Sequence, residues 1–343
     1  MAKKYGFALI GCGAIARLHA QAIKDIDNAR LVAVYDNFYD YAQKFASDFG
    51  AKAYQSLDDM LKDDDIDVVN ICTPSGLHAQ LAVKVANAKK NIITEKPMAI
   101  TDEQIAQMIQ AVEANNVKCE VVTQLRFSDA VVKIKKALDE GRLGKIYTAD
   151  FRMRYFRSQE YYDKGAWRGT WAMDGGGALM NQGIHGIDLI QYLMGGVKSV
   201  QADCRTIARK IEVEDTANML VEYNNGAVGI IQCTTVCTPG YPRTIEISGE
   251  KGSILLKEDT IEVWDIEGDD SDGSDCKTHN VSGFANPMDI TYKYHKMQFE
   301  DLLKAIEEDK VPMVDVYEGR KPVDIILSAY KSSKSGQKVE IGK

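Results

Sequence analysis

The run Phe7-Ala8-Leu9-Ile10 passes directly into Gly11-Cys12-Gly13-Ala14-Ile15-Ala16, and a helical pattern follows through Ile23. Four consecutive apolar residues suit a parallel strand covered on both faces. The glycines fall where such a strand must turn tightly into a helix. Gly11 permits the turn, and Gly13 lets backbone approach a pyrophosphate. The small Ala16 allows close helix–strand packing, and the N–H groups around Gly13, Ala14 and Ile15 point at an anion. The stretch therefore predicts a doubly wound α/β domain that binds a dinucleotide.

The second strand pattern, residues 31–35, ends at Asp36. That is about 20 residues past the glycines, where a carboxylate meets the adenosine ribose. Asp36 would accept from both ribose hydroxyls and repel a 2′-phosphate. The next residues, Asn37-Phe38-Tyr39-Asp40, offer no Arg or Lys to hold that phosphate, so NAD is expected and NADP disfavoured. The other reading of Asp36 is a helix N-cap, which does not exclude the contact.

Further strand patterns at 51–54, 68–72, 91–94 and 117–123 alternate with helical ones at 40–49, from Ser56, at 79–88 and at 100–115. Ser56 and Thr101 read as caps and Gly50 as a stop. This alternation predicts a parallel sheet ending near residue 124, and hence a Rossmann domain over 1–124. Thr73-Pro74 breaks one strand and His78 opens the next helix. Both places, and Gln124 after the last strand, are candidate cofactor contacts.

Beyond residue 124 the pattern changes. A helix over 130–138 is followed by alternating strands at 146–155, 197–207, 216–223, 227–235, 244–248, 252–256 and 260–264, with turns at Asn224-Asn225-Gly226 and Gly249-Glu250-Lys251-Gly252. Helices are expected over 292–308 and 317–333, and a short extended tail at 338–341. Residues 125–343 thus read as an α+β domain with a large, mostly antiparallel sheet. The acidic run 267–275 lacks the glutamate and flanking helices of a calcium loop, and reads as a solvated hairpin tip.

The net charge of -8 argues against a general nucleic-acid or anionic-membrane binder. No apolar run reaches the roughly 20 residues of a membrane span, and Met1-Ala2-Lys3-Lys4-Tyr5 enters a strand without a signal-peptide core. The seven cysteines are scattered and form no CxxC pair. Reduced thiols, a cytoplasmic location and no metal site are the expectation.

The chemistry is expected at Asn91-Ile92-Ile93-Thr94-Glu95-Lys96-Pro97, where a strand's carboxyl end delivers an acid, a lysine and a proline. Together with the glycine loop, Thr73-Pro74 with His78, Gln124-Leu125-Arg126-Phe127, and the block Gly175-Gly176-Gly177-Ala178-Leu179-Met180-Asn181-Gln182-Gly183-Ile184-His185 with Asp188, it resembles the glucose–fructose oxidoreductase, inositol dehydrogenase and rhizopine-catabolism (Gfo/Idh/MocA) family over nearly the whole chain. The resemblance implies NAD(P)-dependent oxidation or reduction of a ring carbinol in a sugar, cyclitol or nucleotide sugar, by a homodimer or homotetramer. It also assigns substrate binding and oligomerisation to residues 125–343.

By position, Lys96 matches the family's catalytic lysine, with a cis Lys96–Pro97 bond, and His185 matches its catalytic histidine. Inositol-dehydrogenase-like members carry an aspartate four residues before that histidine. Here Asn181 stands there, as in the branch acting on nucleotide-linked N-acetylhexosamine uronates. An amide can orient a hydroxyl but cannot stabilise an imidazolium by charge. His185, titrating near neutrality, is expected as principal base, Lys96 as alkoxide stabiliser and proton partner, and Asn181 as orienting group.

Glu95 is a further expected cofactor contact, and Arg126, Tyr155, Trp167 and Arg168 are candidate substrate contacts. Trp167 and Trp171 read equally well as core anchors. Tyr155, Tyr161 and Tyr162 fit a polyol site or a subunit interface. His19 reads as structural, and His279 and His295 as late-loop and helix residues. Two alternatives stay open: an enzyme that recycles bound NAD during elimination or glycoside cleavage, and a non-catalytic NAD-responsive regulator.

Overall fold

The computed structural model describes residues 3–271, 273, 274, 276 and 291–342. His279 and two positions of the acidic run, 272 and 275, lie outside them. The chain divides into two compact units, Met1–Gln124 with Tyr292–Arg320, and Leu125–Thr291 with Lys321–Lys343.

The first unit is built on six strands: β1 (Tyr5–Ile10), β2 (Ala29–Tyr35), β3 (Lys52–Tyr54), β4 (Val68–Ile71), β5 (Asn91–Thr94) and β6 (Cys119–Val121). All pair in parallel, in the order β3-β2-β1-β4-β5-β6. The order reverses between β1 and β4, which opens a crevice at their carboxyl ends. Helices α1 (Ala14–Lys24), α2 (Tyr39–Phe49), α3 (Leu57–Leu61), α4 (His78–Asn87) and α5 (Asp102–Asn115) link the strands. As their sequences lead one to expect, Ser56 accepts from the Asp59 N–H and Thr101 from the Gln104 N–H, while Gly50 ends α2 at φ +71.

The first unit also takes in residues 292–320, which the sequence pattern placed with the second domain. Helix α9 (Lys293–Glu307) packs against α1, and its Phe299, Leu302 and Leu303 join the core of the first sheet. Gln298 on the same helix behaves like a surrogate strand. Its amide donates to the Val121 carbonyl at 2.8 Å and accepts from the Thr123 N–H at 3.1 Å, so the end of β6 is satisfied.

The second unit carries an eight-stranded sheet in the order β13-β12-β11-β7-β10-β9-β8-β14, antiparallel throughout except for the β7–β10 pair. Its strands are β7 (Ile146–Phe156), β8 (Val197–Arg205), β9 (Thr216–Tyr223), β10 (Val228–Thr234), β11 (Val236–Gly249), β12 (Gly252–Lys257), β13 (Thr260–Ile266) and β14 (Val339–Glu340). Strand β11 starts well before the alternating stretch 244–248, because it continues through register shifts on either side of Tyr241. Helix α6 (Asp129–Asp139), the short α7 (Gln159–Asp163), α8 (Ile184–Met194) and α10 (Val316–Ser335) complete the described helices beyond α5. Phe151 and Gly186 bring β7 and α8 into close contact: a Cβ on Gly186 would meet the Phe151 ring at 2.0 Å.

At the described part of the acidic run, Asp269 accepts from the Trp264 indole and from Arg142, and pairs with Ile266. It serves as a hairpin anchor. No described helix is long and apolar enough to cross a membrane.

Candidate active site

In the first unit, strand β1 ends at Gly11, whose φ of +92 only glycine adopts without strain, and whose missing Cβ would lie 2.7 Å from the Cys72 carbonyl. Gly13 then caps α1 with no side-chain hydrogen bond. A Cβ there would meet nothing within 4 Å, and Gly13 and Ala14 are exposed, so the helix start is open to an anion.

Asp36 is half-buried at the end of β2. Its carboxylate accepts from the Cys12 and Phe38 N–H groups, both at 2.9 Å, which fixes it beside the glycine turn. The helix cap itself falls at Phe38. Gln124 is buried, and its side-chain oxygen has no hydrogen-bond partner among the described residues. An exposed helix start, an oriented carboxylate and an unsatisfied amide oxygen together suit a dinucleotide.

The bond between Lys96 and Pro97 is cis, as the resemblance implied. His78, fully buried, ties this turn to Thr73: its Nδ1 lies 2.7 Å from the Pro97 carbonyl and its Nε2 2.8 Å from that of Thr73. Burial pushes the imidazole below its ordinary value, against the pull of the two carbonyls. With both ring nitrogens engaged, His78 reaches a cofactor only through the turns that it holds.

Glu95 likewise turns inward. Its Oε1 lies 3.0 Å from His19 Nε2 and 3.9 Å from His295 Nε2, and its Oε2 accepts from the Lys96 backbone N–H at 3.2 Å. Burial alone would raise this carboxyl, but the bond to His19 and the charges of His19, His295 and Lys96 hold it down to about 2. One ligand atom from each of His19, Glu95 and His295 lies within 4.8 Å of the others.

In the second unit, Asn181 lies in a wide π-helical turn, Ala178–Gly183, that runs into α8 and His185. Such turns recur at functional sites. The turn is pinned by Glu214, whose carboxylate accepts from the Gly177 and Leu179 N–H groups at 2.9 and 2.8 Å and from the Tyr330 hydroxyl at 3.0 Å. Gly177 has no alternative, because a Cβ would overlap the Glu214 carbonyl at 1.7 Å. Burial drives the Glu214 carboxyl up to about 7, in spite of these three donors.

Behind Asn181 stands a carboxylate that sequence reasoning did not single out. Asp174, 1% exposed, accepts from the Asn181 amide at 2.6 Å and from the Gly169 N–H at 2.9 Å. Its signal was an acid directly before the triple glycine. Gln182 links Asn181 to the Tyr161 hydroxyl, with both contacts at 3.3 Å. The Arg168 guanidinium lies over the rings of Tyr161 and Trp167, at 4.7 and 5.0 Å. Trp171 is 46% exposed and Trp167 half-buried, so neither anchors the core.

Two proposed substrate contacts are spent elsewhere. Arg126 is 1% exposed, grips Asp188 through two nitrogens at 2.8 and 2.6 Å, and covers the Tyr192 ring at 4.4 Å. A guanidinium committed to a bidentate buried pair is a structural group. Tyr155 is 5% exposed and its hydroxyl donates to Glu258 at 3.3 Å, so it belongs to the sheet interior.

These features define a class: an oxidoreductase with a Rossmann nucleotide domain and a separate sheet domain. Residues 5–123 match the oxidoreductase family with the NAD-binding Rossmann fold, and residues 131–255 match the GFO/IDH/MocA C-terminal domain. The chain belongs to the GFO/IDH/MocA family, and its first unit is an NAD-binding domain. It is 30% identical to the inositol 2-dehydrogenase of Rhizobium meliloti over 73% of this chain and 75% of the relative.

Among solved structures it resembles the WlbA dehydrogenases of Chromobacterium violaceum and Bordetella pertussis, both crystallised with NADH and UDP-GlcNAcA. The first is 34% identical with a TM-score of 0.88, over 99% of this chain and 97% of that one. The second is 33% identical with a TM-score of 0.88, over 99% and 100%.

Proposed function

We propose that the protein is an NAD-dependent dehydrogenase that oxidises a ring hydroxyl of a nucleotide-linked sugar acid of the UDP-GlcNAcA kind. The observation that carries this reading is the Asn181–Asp174 pair. Where inositol dehydrogenases place a carboxylate, this chain presents an amide locked by a buried carboxylate. That arrangement fixes a neutral orienting group and leaves the charge one bond further back. The 33–34% identity to two enzymes crystallised with UDP-GlcNAcA, spread over almost the full chain, supports the same substrate class. Arg168, preorganised between two rings, suits an anionic substituent.

Bound NAD supplies the hydride acceptor. Gly13 and the start of α1 would hold the pyrophosphate, Asp36 would accept from the adenosine ribose, and Gln124 would offer the cofactor its buried amide oxygen. His185 removes the hydroxyl proton, Lys96 donates to the developing alkoxide, and Asn181 orients the carbinol. Seven free thiols fit a reducing cytoplasm. The exposed Leu220 and Val228, on the paired strands β9 and β10, fit a homodimer or homotetramer formed on the large sheet.

The test is a screen of UDP-GlcNAcA, other nucleotide sugars, aldoses and cyclitols against NAD and NADP, followed by absorbance of the reduced cofactor. NADH should accumulate with UDP-GlcNAcA and NAD, and His185→Ala should cut turnover by about 10²–10⁴-fold. Turnover of free inositol without that of any nucleotide sugar would overturn the substrate class. Cleaved product without NADH release would point to cofactor recycling.

A further inference from the structure

Glu95 is a carboxylate sealed inside the first unit and joined by the main chain to Lys96. Two helices distant in sequence converge on it. Helix α1 brings His19, whose other nitrogen faces the Asn70 amide of β4 at 3.1 Å and the Cys72 thiol, one residue past β4, at 3.4 Å. Helix α9 brings His295, packed 5.4 Å from the His19 ring. The titratable groups that face Glu95 are therefore His19, Cys72, His78, His295 and Lys96. Burying a carboxylate beside two imidazoles costs a great deal of solvation for a purely structural end, since apolar side chains would fill the same space without that penalty.

We propose that His19 and His295 keep Glu95 as a buried anion behind Lys96, and that this anion holds the lysine in place and sets its charge state. Glu95 is thus a positioning residue. One carboxylate oxygen receives His19, and the other receives the Lys96 N–H, so rotation of the carboxylate would disturb the turn that carries the lysine. The lysine ammonium and the Glu95 charge favour one another across a medium of low dielectric. The consequence for turnover rests on the proposed role of Lys96 as alkoxide stabiliser. The electrostatic link does not, because it can be read on Lys96 without substrate.

The experiment is competitive acetylation of Lys96 by acetic anhydride over a range of pH, read by mass spectrometry of its peptide, in the full-length protein. Glu95→Gln should move the midpoint of Lys96 reactivity to lower pH by about one unit, a tenfold change. His19→Leu, which removes the donor to Glu95, should move it the same way. His19→Gln, which retains a donor, should restore it, with His295→Gln intermediate. Each variant is first checked for NAD binding, which shows that the domain is folded. Wild-type midpoints in Glu95→Gln and His19→Leu would overturn the inference, as would stoichiometric zinc in the purified protein, since the trio would then be a metal centre. A shifted midpoint in a protein inert to every sugar would leave this inference standing and sink the dehydrogenase reading.

Discussion

Glu95 in the first unit and Glu214 in the second are both sealed from solvent, and each adjoins the segment that carries a proposed reactive group. Glu214 has the better hydrogen bonding of the two, with two backbone N–H groups and a hydroxyl. Its carboxyl is nonetheless driven up to about 7, whereas that of Glu95 is held down to about 2. At Glu214 the donors offset only part of the lost hydration, whereas at Glu95 the bond to His19 and the charges around the carboxyl outweigh it. The first unit thus builds a fixed charge beside Lys96. The second builds a hydrogen-bonded clasp on the turn that carries Asn181, and this clasp can lose or gain a proton near neutral pH.

The largest effect that would break this contrast is on the first unit. His19→Ala takes the nearest partner from a buried anion, and should cost about 3–5 kcal/mol in urea unfolding at neutral pH. A loss too small to measure would show that Glu95 does not depend on His19.

Next in size is an opposition in pH dependence. The folded value of Glu214 lies above its unfolded 4.5, so its contribution to stability is complete below pH 4.5. That contribution disappears as pH rises through about 7, worth roughly 3 kcal/mol. Glu95 has the reverse sign: its contribution is complete above pH 4.5 and disappears as pH falls through about 2. Unfolding curves of Glu214→Gln should be flatter than wild type between pH 4.5 and 7.5, and those of Glu95→Gln flatter in acid. Parallel slopes in wild type and variants would contradict the contrast.

The smallest effect sharpens the clasp. Tyr330→Phe removes one of the three donors to Glu214 and should cost about 1 kcal/mol. It should also push the Glu214 transition to still higher pH, which a carbon-detected titration of the labelled glutamate would track.

Much of the first unit was legible because its signals are local. A strand, a glycine turn and a helix sit side by side, and Ser56 and Thr101 each cap the helix that starts at the next residue. His185 and Lys96 were likewise marked by short blocks. What escaped was set by distant partners. Nothing near residue 298 announces an amide that would finish a strand at residue 121, and Arg126 looks like a ligand until Asp188 claims it. Asp174 escaped for a similar reason: its value depends on a π-helical turn that brings position 181 back to it, and no simple period encodes such a turn. Tyr155 alternates correctly with its neighbours, but alternation cannot tell which face of a sheet is filled.

Helix α9 has a bearing on biosynthesis. Its Phe299, Leu302 and Leu303 complete the first core, and Gln298 covers the rim of β6. A nascent polypeptide cannot close that core until residue 307 has left the ribosome, long after residues 1–124 have emerged. During that interval the Val121 carbonyl and Thr123 amide stand open, and Glu95 has only one of its two imidazoles. Domains that fold in order of synthesis need no such wait. Here the part made first is the part finished late, and chaperones are expected to attend the growing chain until α9 docks.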